Sequence, residues 1–351
     1  MRRNKVESQS YSPWQSTSPP ERILVIRHHG VGDVAITLPS CTALRNHLPH
    51  ARIDFLTSAS NSQLPEALQT FDSVLKLEIP PHRRGRIMAA ILCGLKLQRE
   101  RYDLVIDLQR NWMSRAIRLL CRPRAWGEFD RFAPKPAGER VLDVFHNAGF
   151  PKLEPQYRME MKSETLERAK RLLIESGWNG ADPLVVLNPA GLWTTRNWPL
   201  ENYIELARFW LAQENVQFLL LGDSRIIGKA SVIKSQLGSN VINMVGETDL
   251  GEAFAILQFV QVVVSEDSGL MHMAWVSGVP TVALFGSSRH DWSRPLGSHS
   301  AIFHSGDLEC GACMEPSCRF GDVHCLLRHT PKEVYEATHT LLSATRHPTH
   351  Q

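Results

Sequence analysis

The chain has 351 residues, 43% of them apolar, and a formal net charge of only +3 at pH 7. This is enough apolar material for two packed cores, and no segment reaches the roughly 20 residues that a membrane-spanning helix needs. The small net charge hides an asymmetry: Lys and Arg are in excess over residues 1–160, whereas residues 161–351 are net acidic.

Residues 1–20 are rich in Ser, Pro, Gln and charge, lack the apolar stretch of a signal peptide, and read as a disordered tail. A strand over 22–26 then feeds Arg27-His-His-Gly30-Val-Gly32-Asp33-Val-Ala35. The Gly30, Gly32, Ala35 spacing fits the dinucleotide fingerprint and raises an NAD-dependent oxidoreductase as an alternative. That fingerprint also asks for an acid at the end of the second strand, which here closes on Leu56-Thr57-Ser58 with Asp54 inside it. Asp33 opens a helix over 33–48, where the positive helix end favours its carboxylate. Its role is either a cap or a general base.

A strand over 52–56 follows, then an apolar stretch over 87–95 that suits a buried or interfacial helix, then a strand over 104–108. The basic excess comes from His82-Arg-Arg-Gly-Arg86 and from Arg110, Arg115, Arg118, Arg122 and Arg124. These cations suit an anionic partner such as phospholipid or a phosphorylated glycan, or are simply solvated faces. No recognisable nucleic-acid-binding motif accompanies them.

A helix over 164–175 precedes a restart of the pattern: strand 184–187, helix 200–213, strand 217–221, helix 225–237 and strand 241–244. A β-branched run over 262–264 then ends in Ser265-Glu-Asp-Ser-Gly-Leu-Met-His272, with a helix over 270–276 and a strand over 281–285. Two open parallel sheets follow from this alternation, with ligands expected beyond the strand carboxyl ends and a cleft between two domains. Ser268 and Gly269 are small, and a helix N-terminus with free N–H groups attracts a diphosphate. Asp267 beside it is better suited to sugar hydroxyls or backbone N–H groups. The alternative is that Asp267 and Ser268 merely cap a buried helix. Asp223, after the strand 217–221, is placed to bind a ribose. Trp193, Trp198, Trp275 and Trp292 read as packing residues. A last helix over 331–344 is a candidate to pack across the domain junction.

Cys310-x2-Cys313-x4-Cys318-x6-Cys325 lies in a loop rich in Gly, Pro and charge. The spacing suits a structural zinc, reduced thiols or, less well, disulfides, and four thiolates leave no open position for a catalytic metal. His324 is a possible substitute ligand.

Residues 27–39, the strand Tyr102-Asp-Leu-Val-Ile-Asp-Leu-Gln109, Asn188-Pro-Ala-Gly191 with Arg196-Asn-Trp-Pro199, Val245-Gly-Glu-Thr-Asp-Leu250 and Asp267-Ser-Gly-Leu-Met-His272 together resemble glycosyltransferase family 9, the ADP-heptose:lipopolysaccharide heptosyltransferases. The resemblance implies an α/β GT-B fold of two facing Rossmann-like domains with an interdomain cleft. An acceptor-binding domain over 21–160 and a nucleotide-sugar domain over 161–335 follow from it, with the Cys-rich loop 310–325 in the second and a helix end and tail over 336–351. It implies inverting transfer of heptose from ADP-heptose to the inner core of lipopolysaccharide, leaning to the second-heptose type, with no cofactor required. Partners would be ADP-heptose, a lipid A-core acceptor and the anionic inner-membrane surface, with no nucleic acid, which puts the enzyme peripherally at the cytoplasmic face.

Carried over by residue, the resemblance makes Asp33 the general base and puts Arg27, Gly30 and Gly32 in the acceptor or phosphate loop. Thr194, Thr195, Arg196, Asp223, Asp267, Ser268, Gly269, Leu270 and His272 bind the donor. Arg196 stands where the family often has Lys, and either cation can neutralise a departing diphosphate. That departure, and the one after Asp223, leave a catalytically silent sugar-nucleotide binder as a further alternative.

Overall fold

A computed structural model describes residues 11–346. The chain divides into two compact units between Glu160 and Met161.

The first unit opens with β1 (Tyr11–Ser12) and β2 (Arg22–Ile26), followed by α1 (Val31–His47), β3 (Arg52–Ser58), α2 (Gln63–Glu66) and β4 (Ser73–Leu77). It continues through α3 (Arg83–Gln98), β5 (Leu104–Asp107), α4 (Trp112–Cys121), β6 (Ala125–Glu128) and α5 (Ala137–Asn147). The sheet order is β1-β6-β5-β2-β3-β4. Every pairing is parallel except β1 on β6. Central strands covered by helices on both faces read as unbroken apolar runs, and Ile23 to Ile26 and Leu104 to Ile106 are fully buried.

The expected disordered tail is corrected from Tyr11 onward. Residues 1–10 lie outside the described residues, but Tyr11 pairs with Gly127 and Ser12 with Trp126, and the Trp14 N–H donates to the Ala148 carbonyl at 2.9 Å. Polar composition missed this because the backbone, not the side chains, supplies the edge-strand bonds.

The second unit runs α6 (Ser163–Glu175), β7 (Leu184–Asn188), α7 (Leu200–Leu211), β8 (Gln217–Leu220), α8 (Ile227–Leu237), β9 (Val241–Asn243) and α9 (Leu250–Ile256). Then come β10 (Val260–Glu266), α10 (Gly269–Val276), β11 (Thr281–Leu284), α11 (His290–Ser293), β12 (Ser300–Phe303), α12 (His324–Leu327) and α13 (Pro331–Arg346). Its six strands are all parallel in the order β12-β11-β10-β7-β8-β9, which counted from β7 is the Rossmann order 3-2-1-4-5-6. A core of Trp198, Tyr203, Trp210, Phe218 and the aliphatic residues of β7, β8 and β10 fills one face of this sheet. The last helix, α13, packs on α7, β11 and β12 of its own unit.

In each unit the strand order reverses once, between β2 and β5 in the first and between β7 and β10 in the second. Loops leaving two such strands diverge to opposite faces and open a crevice at their carboxyl ends. The register sets Ile26 beside Asp107 in one unit and Asn188 beside Ser265 in the other, so the sequence motifs that follow those residues meet in space.

Candidate active site

At the reversal point of the first unit, Gly30 takes φ +80° and starts α1. A Cβ there would stand 2.7 Å from Asp33 Oδ2, so this turn needs glycine on two counts. Asp33 lies in the first turn of α1, its side chain half exposed, with Arg27 Nη2 2.8 Å from Oδ2. Arg27 is itself buried, donates through Nη1 to the Leu108 carbonyl, and lies 5.4 Å from the Phe129 ring centroid. Its Nε has no hydrogen-bond partner among the described residues.

The loop after β5 clamps this turn. Gln109 Oε1 accepts the backbone N–H of His28 at 3.1 Å and of His29 at 3.0 Å. Asp107 in turn accepts the N–H groups of Gln109 and Arg110 and the Ser114 hydroxyl. His28 is buried beside Asn111, and burial, with His29 and Arg27 adding to it, lowers its pKa to about 4. The carboxylate that the sequence singles out is therefore held by a buried cation on a rigid turn. Sequence reasoning assigned no role to Gln109, although it closes the strand motif quoted above, nor to Asp107 and Asn111 beside it.

At the reversal point of the second unit, Ser268 caps α10, accepting the Met271 N–H at 3.2 Å. Asn188 Oδ1 receives the Ser265 and Ser268 hydroxyls at 3.2 Å each, while its Nδ2 donates to the Leu221 carbonyl at 2.7 Å. Arg196 Nη1 lies 3.0 Å from Asp267 Oδ2, and its guanidinium stands 4.0 Å over the Trp193 ring. Both partners are mostly buried, at 15% and 11% side-chain exposure, and Arg196 Nε has no hydrogen-bond partner among the described residues. His272 Nε2 is 3.9 Å from Asp267 Oδ1, and its Nδ1 accepts the Trp275 indole N–H at 3.1 Å. Gly269, Leu270 and His272 thus share one short helix start with the Arg196–Asp267 pair.

Glu266, the residue before Asp267, went unassigned in the sequence because the β10 run was expected to end at residue 264. In the structure β10 extends to Glu266, whose carboxylate is fully buried. Its two oxygens accept the backbone N–H groups of Gly191 and Trp198, each at 2.6 Å, pinning both ends of the segment that presents Arg196. Lys229 braces the same segment, donating to the Pro189 carbonyl at 2.8 Å and to Asn197 Oδ1 at 2.7 Å. Burial raises the Glu266 pKa to about 7, against Lys229, the two backbone N–H groups and Tyr203, which lower it.

Three groups of sequence candidates are held by partners within the protein. Thr194 donates its hydroxyl to the Pro316 carbonyl at 2.9 Å, and buried Thr195 donates to the Glu315 carbonyl at 2.6 Å. Both hydroxyls tie the Arg196 segment to the Cys-rich loop. Asp223 caps the turn at 224–226 and is paired with Arg225 Nη2 at 2.6 Å, and that arginine holds its carboxyl below the usual range. Cys310, Cys313, Cys318, Cys325 and His324 line one cavity of about 450 Å³, with Cys310 Sγ 3.2 Å from His324 Nε2. Among the described residues no three His, Cys, Asp or Glu side chains are gathered closely enough to hold a metal, and the cysteines are free thiols.

The chain matches the family model described as glycosyltransferase family 9 (heptosyltransferase) over residues 93–324. It is 28% identical to lipopolysaccharide heptosyltransferase 2 of Salmonella typhimurium across 92% of this chain and 99% of that protein. Among solved structures it resembles a family 9 glycosyltransferase from Veillonella parvula, with TM-score 0.78, 21% identity, and 92% and 97% of the two chains covered. It likewise resembles the ADP-heptose heptosyltransferase II of Escherichia coli, with TM-score 0.73, 22% identity, and 93% and 100% covered. The fold is that of GT-B glycosyltransferases, two Rossmann-like units whose sheets are parallel but for β1.

Proposed function

The chain belongs to glycosyltransferase family 9 and is a glycosyltransferase, and from that premise we propose that it moves heptose from ADP-heptose to the inner core of lipopolysaccharide as a second-heptose transferase. The observation that carries the reading is the Arg196–Asp267 pair at the capped start of α10, with a buried guanidinium N–H left without a partner. A buried unpaired donor is costly unless a ligand accepts from it, and an anion is the ligand that a guanidinium beside a helix N-terminus favours.

In this reading the diphosphate of the donor is held by Arg196 and the backbone at Ser268, Gly269 and Leu270. Asp267 does double service, orienting Arg196 and accepting sugar hydroxyls, while His272 backs Asp267. Asp223 takes the ribose once its exposed pairing with Arg225 is exchanged for hydroxyl donors. Asp33 takes the proton of the acceptor hydroxyl. The acceptor oxygen then bonds to the anomeric carbon as the bond from that carbon to the diphosphate breaks. ADP leaves with the electron pair and the configuration inverts. Charge grows on the leaving diphosphate, where a fixed cation contributes most. Arg27 and Gly30 set the Asp33 carboxylate, and with Gly32 they form the loop that receives the acceptor or a phosphate.

The acceptor is a lipid-anchored core oligosaccharide, and the enzyme works at the cytoplasmic surface of the inner membrane; the basic excess of residues 1–160 supports that placement. Structural zinc at the four cysteines has suitable donor chemistry but not the gathered geometry, and the reaction asks nothing of it.

The test is ADP release from ADP-heptose with core acceptors bearing no heptose or one. Release that depends on the one-heptose acceptor is expected. Release with neither acceptor, alongside measurable donor binding, would overturn the assignment in favour of a silent binder.

A further inference from the structure

α3 carries two apolar faces where a helix packed on one side needs one. Ala90, Gly94 and Leu97 are buried, and Gly94 admits α4 so closely that a Cβ there would lie 2.6 Å from Leu120 Cβ. On the opposite side Ile87, Met88, Ile91, Leu92 and Leu95 are 38–60% exposed. Their spacing of i, i+1, i+4, i+5, i+8 puts them on one stripe. Single exposed apolar residues are ordinary, whereas five contiguous ones mark a contact surface.

The stripe is bracketed by exposed cations, Arg83, Arg84 and Arg86 at its start and Lys96 and Arg99 at its end. Among the described residues none of the five has a carboxylate within ion-pair distance; the acid nearest in sequence at the far end, Glu100, is paired with Arg22 at 2.9 Å. Three arginines in a helix's first turn oppose its positive end, so local helix energetics do not account for them. An external anionic surface does. A second copy of the chain is the poorer fit, because a two-fold contact through this stripe would stack like charges on like.

We infer that this face of α3 lies in the headgroup layer of an anionic bilayer, the apolar stripe entering the acyl boundary and the five cations contacting lipid phosphate. The inference rests on the reading that the acceptor is lipid-anchored, and gives the acceptor-binding unit its hold on the surface where that acceptor sits.

The experiment uses the full chain in flotation with vesicles of phosphatidylglycerol and phosphatidylethanolamine, against vesicles of phosphatidylcholine alone. Binding to the anionic vesicles only, weakening as salt rises, is expected. Lys96→Gln with Arg99→Gln should weaken it by about fivefold per cation removed. Ile91→Ser with Leu92→Ser, both at exposed positions, should weaken it by at least about tenfold. The serine variant should keep the wild-type rate of ADP release with a water-soluble core oligosaccharide and lose rate only on acceptor embedded in vesicles. Equal flotation with both lipids, variants that float like wild type, or a concentration-dependent dimer abolished by the serine variant would each overturn the proposal. Loss of ADP release with the soluble acceptor in the wild-type protein would instead count against the transferase reading, leaving the flotation result to stand by itself.

Discussion

Asp33 and Glu266 are both acids at strand-to-helix turns, yet their surroundings give them different work. Asp33 is half exposed and tethered by one oxygen to Arg27, which suits a proton acceptor that must meet an incoming hydroxyl. Asp33→Asn keeps the shape and removes the basicity; turnover should fall by about 10²–10⁴-fold while donor affinity, measured by titration with ADP-heptose, stays within about twofold. An unchanged rate would sink the base assignment. Glu266 instead accepts two backbone N–H groups in a fully buried setting. In Glu266→Gln an amide NH₂ would face one of those donors, at a cost of about 1–3 kcal/mol. The expected result is a lower melting temperature and donor binding weakened by roughly tenfold, as the 191–198 segment loses one anchor. Wild-type donor affinity in this variant would show that the segment is held by other bonds.

The elements that matter most are turns rather than helices or strands. The turn from β2 into α1 depends on Gly30 at φ +80°, and Gly30→Ala adds both a disfavoured backbone conformation and a methyl against Asp33 Oδ2. Strain of this kind costs about 1–3 kcal/mol, and the displaced carboxylate should lower the rate more than it alters donor affinity. A melting point and rate equal to wild type would show that the turn can adapt. In the second unit, the turn from β7 toward α7 is tied to the Cys-rich loop through Thr194 and Thr195. That tie explains why two hydroxyls beside a diphosphate-binding candidate serve the scaffold. The apolar spacing of β7 and β10 predicted those strands, but β4, β6 and β12 went unpredicted because they are four or five residues long, with polar or small residues inside them.

At the scale of the whole molecule, acid stability should reveal the buried histidine. His28 titrates near 6.5 when unfolded and near 4 when folded, so the unfolded chain binds the extra proton between these values and stability is lost as the pH falls through that window. The shift corresponds to about 3 kcal/mol. Glu266, raised from 4.5 to about 7, works in the opposite sense, since the folded state binds the extra proton and stability falls as the pH rises through its window. The two overlap, so the check is the difference in denaturant unfolding between wild type and His28→Gln across pH 4–6.5. The wild type should show the steeper loss on acidification, and parallel curves would refute the assignment.

The sequence by itself determined the two-unit α/β class, because buried parallel strands must be apolar on both faces and their helices must repeat at a helical period. It also picked out Asp33, Asp267 and Ser268, since turn chemistry and helix-start chemistry are local and visible as motifs, whereas Arg196 and His272 came from the resemblance to the family. Only the tertiary structure decided which motif meets which. Asn188 joins Ser268, Gln109 clamps His28, Glu266 pins Gly191 and Trp198, and Thr195 turns away to Glu315. Those pairs are separated by tens to more than a hundred residues, and it is sheet order and register, not spacing along the chain, that bring their polar atoms within hydrogen-bonding distance.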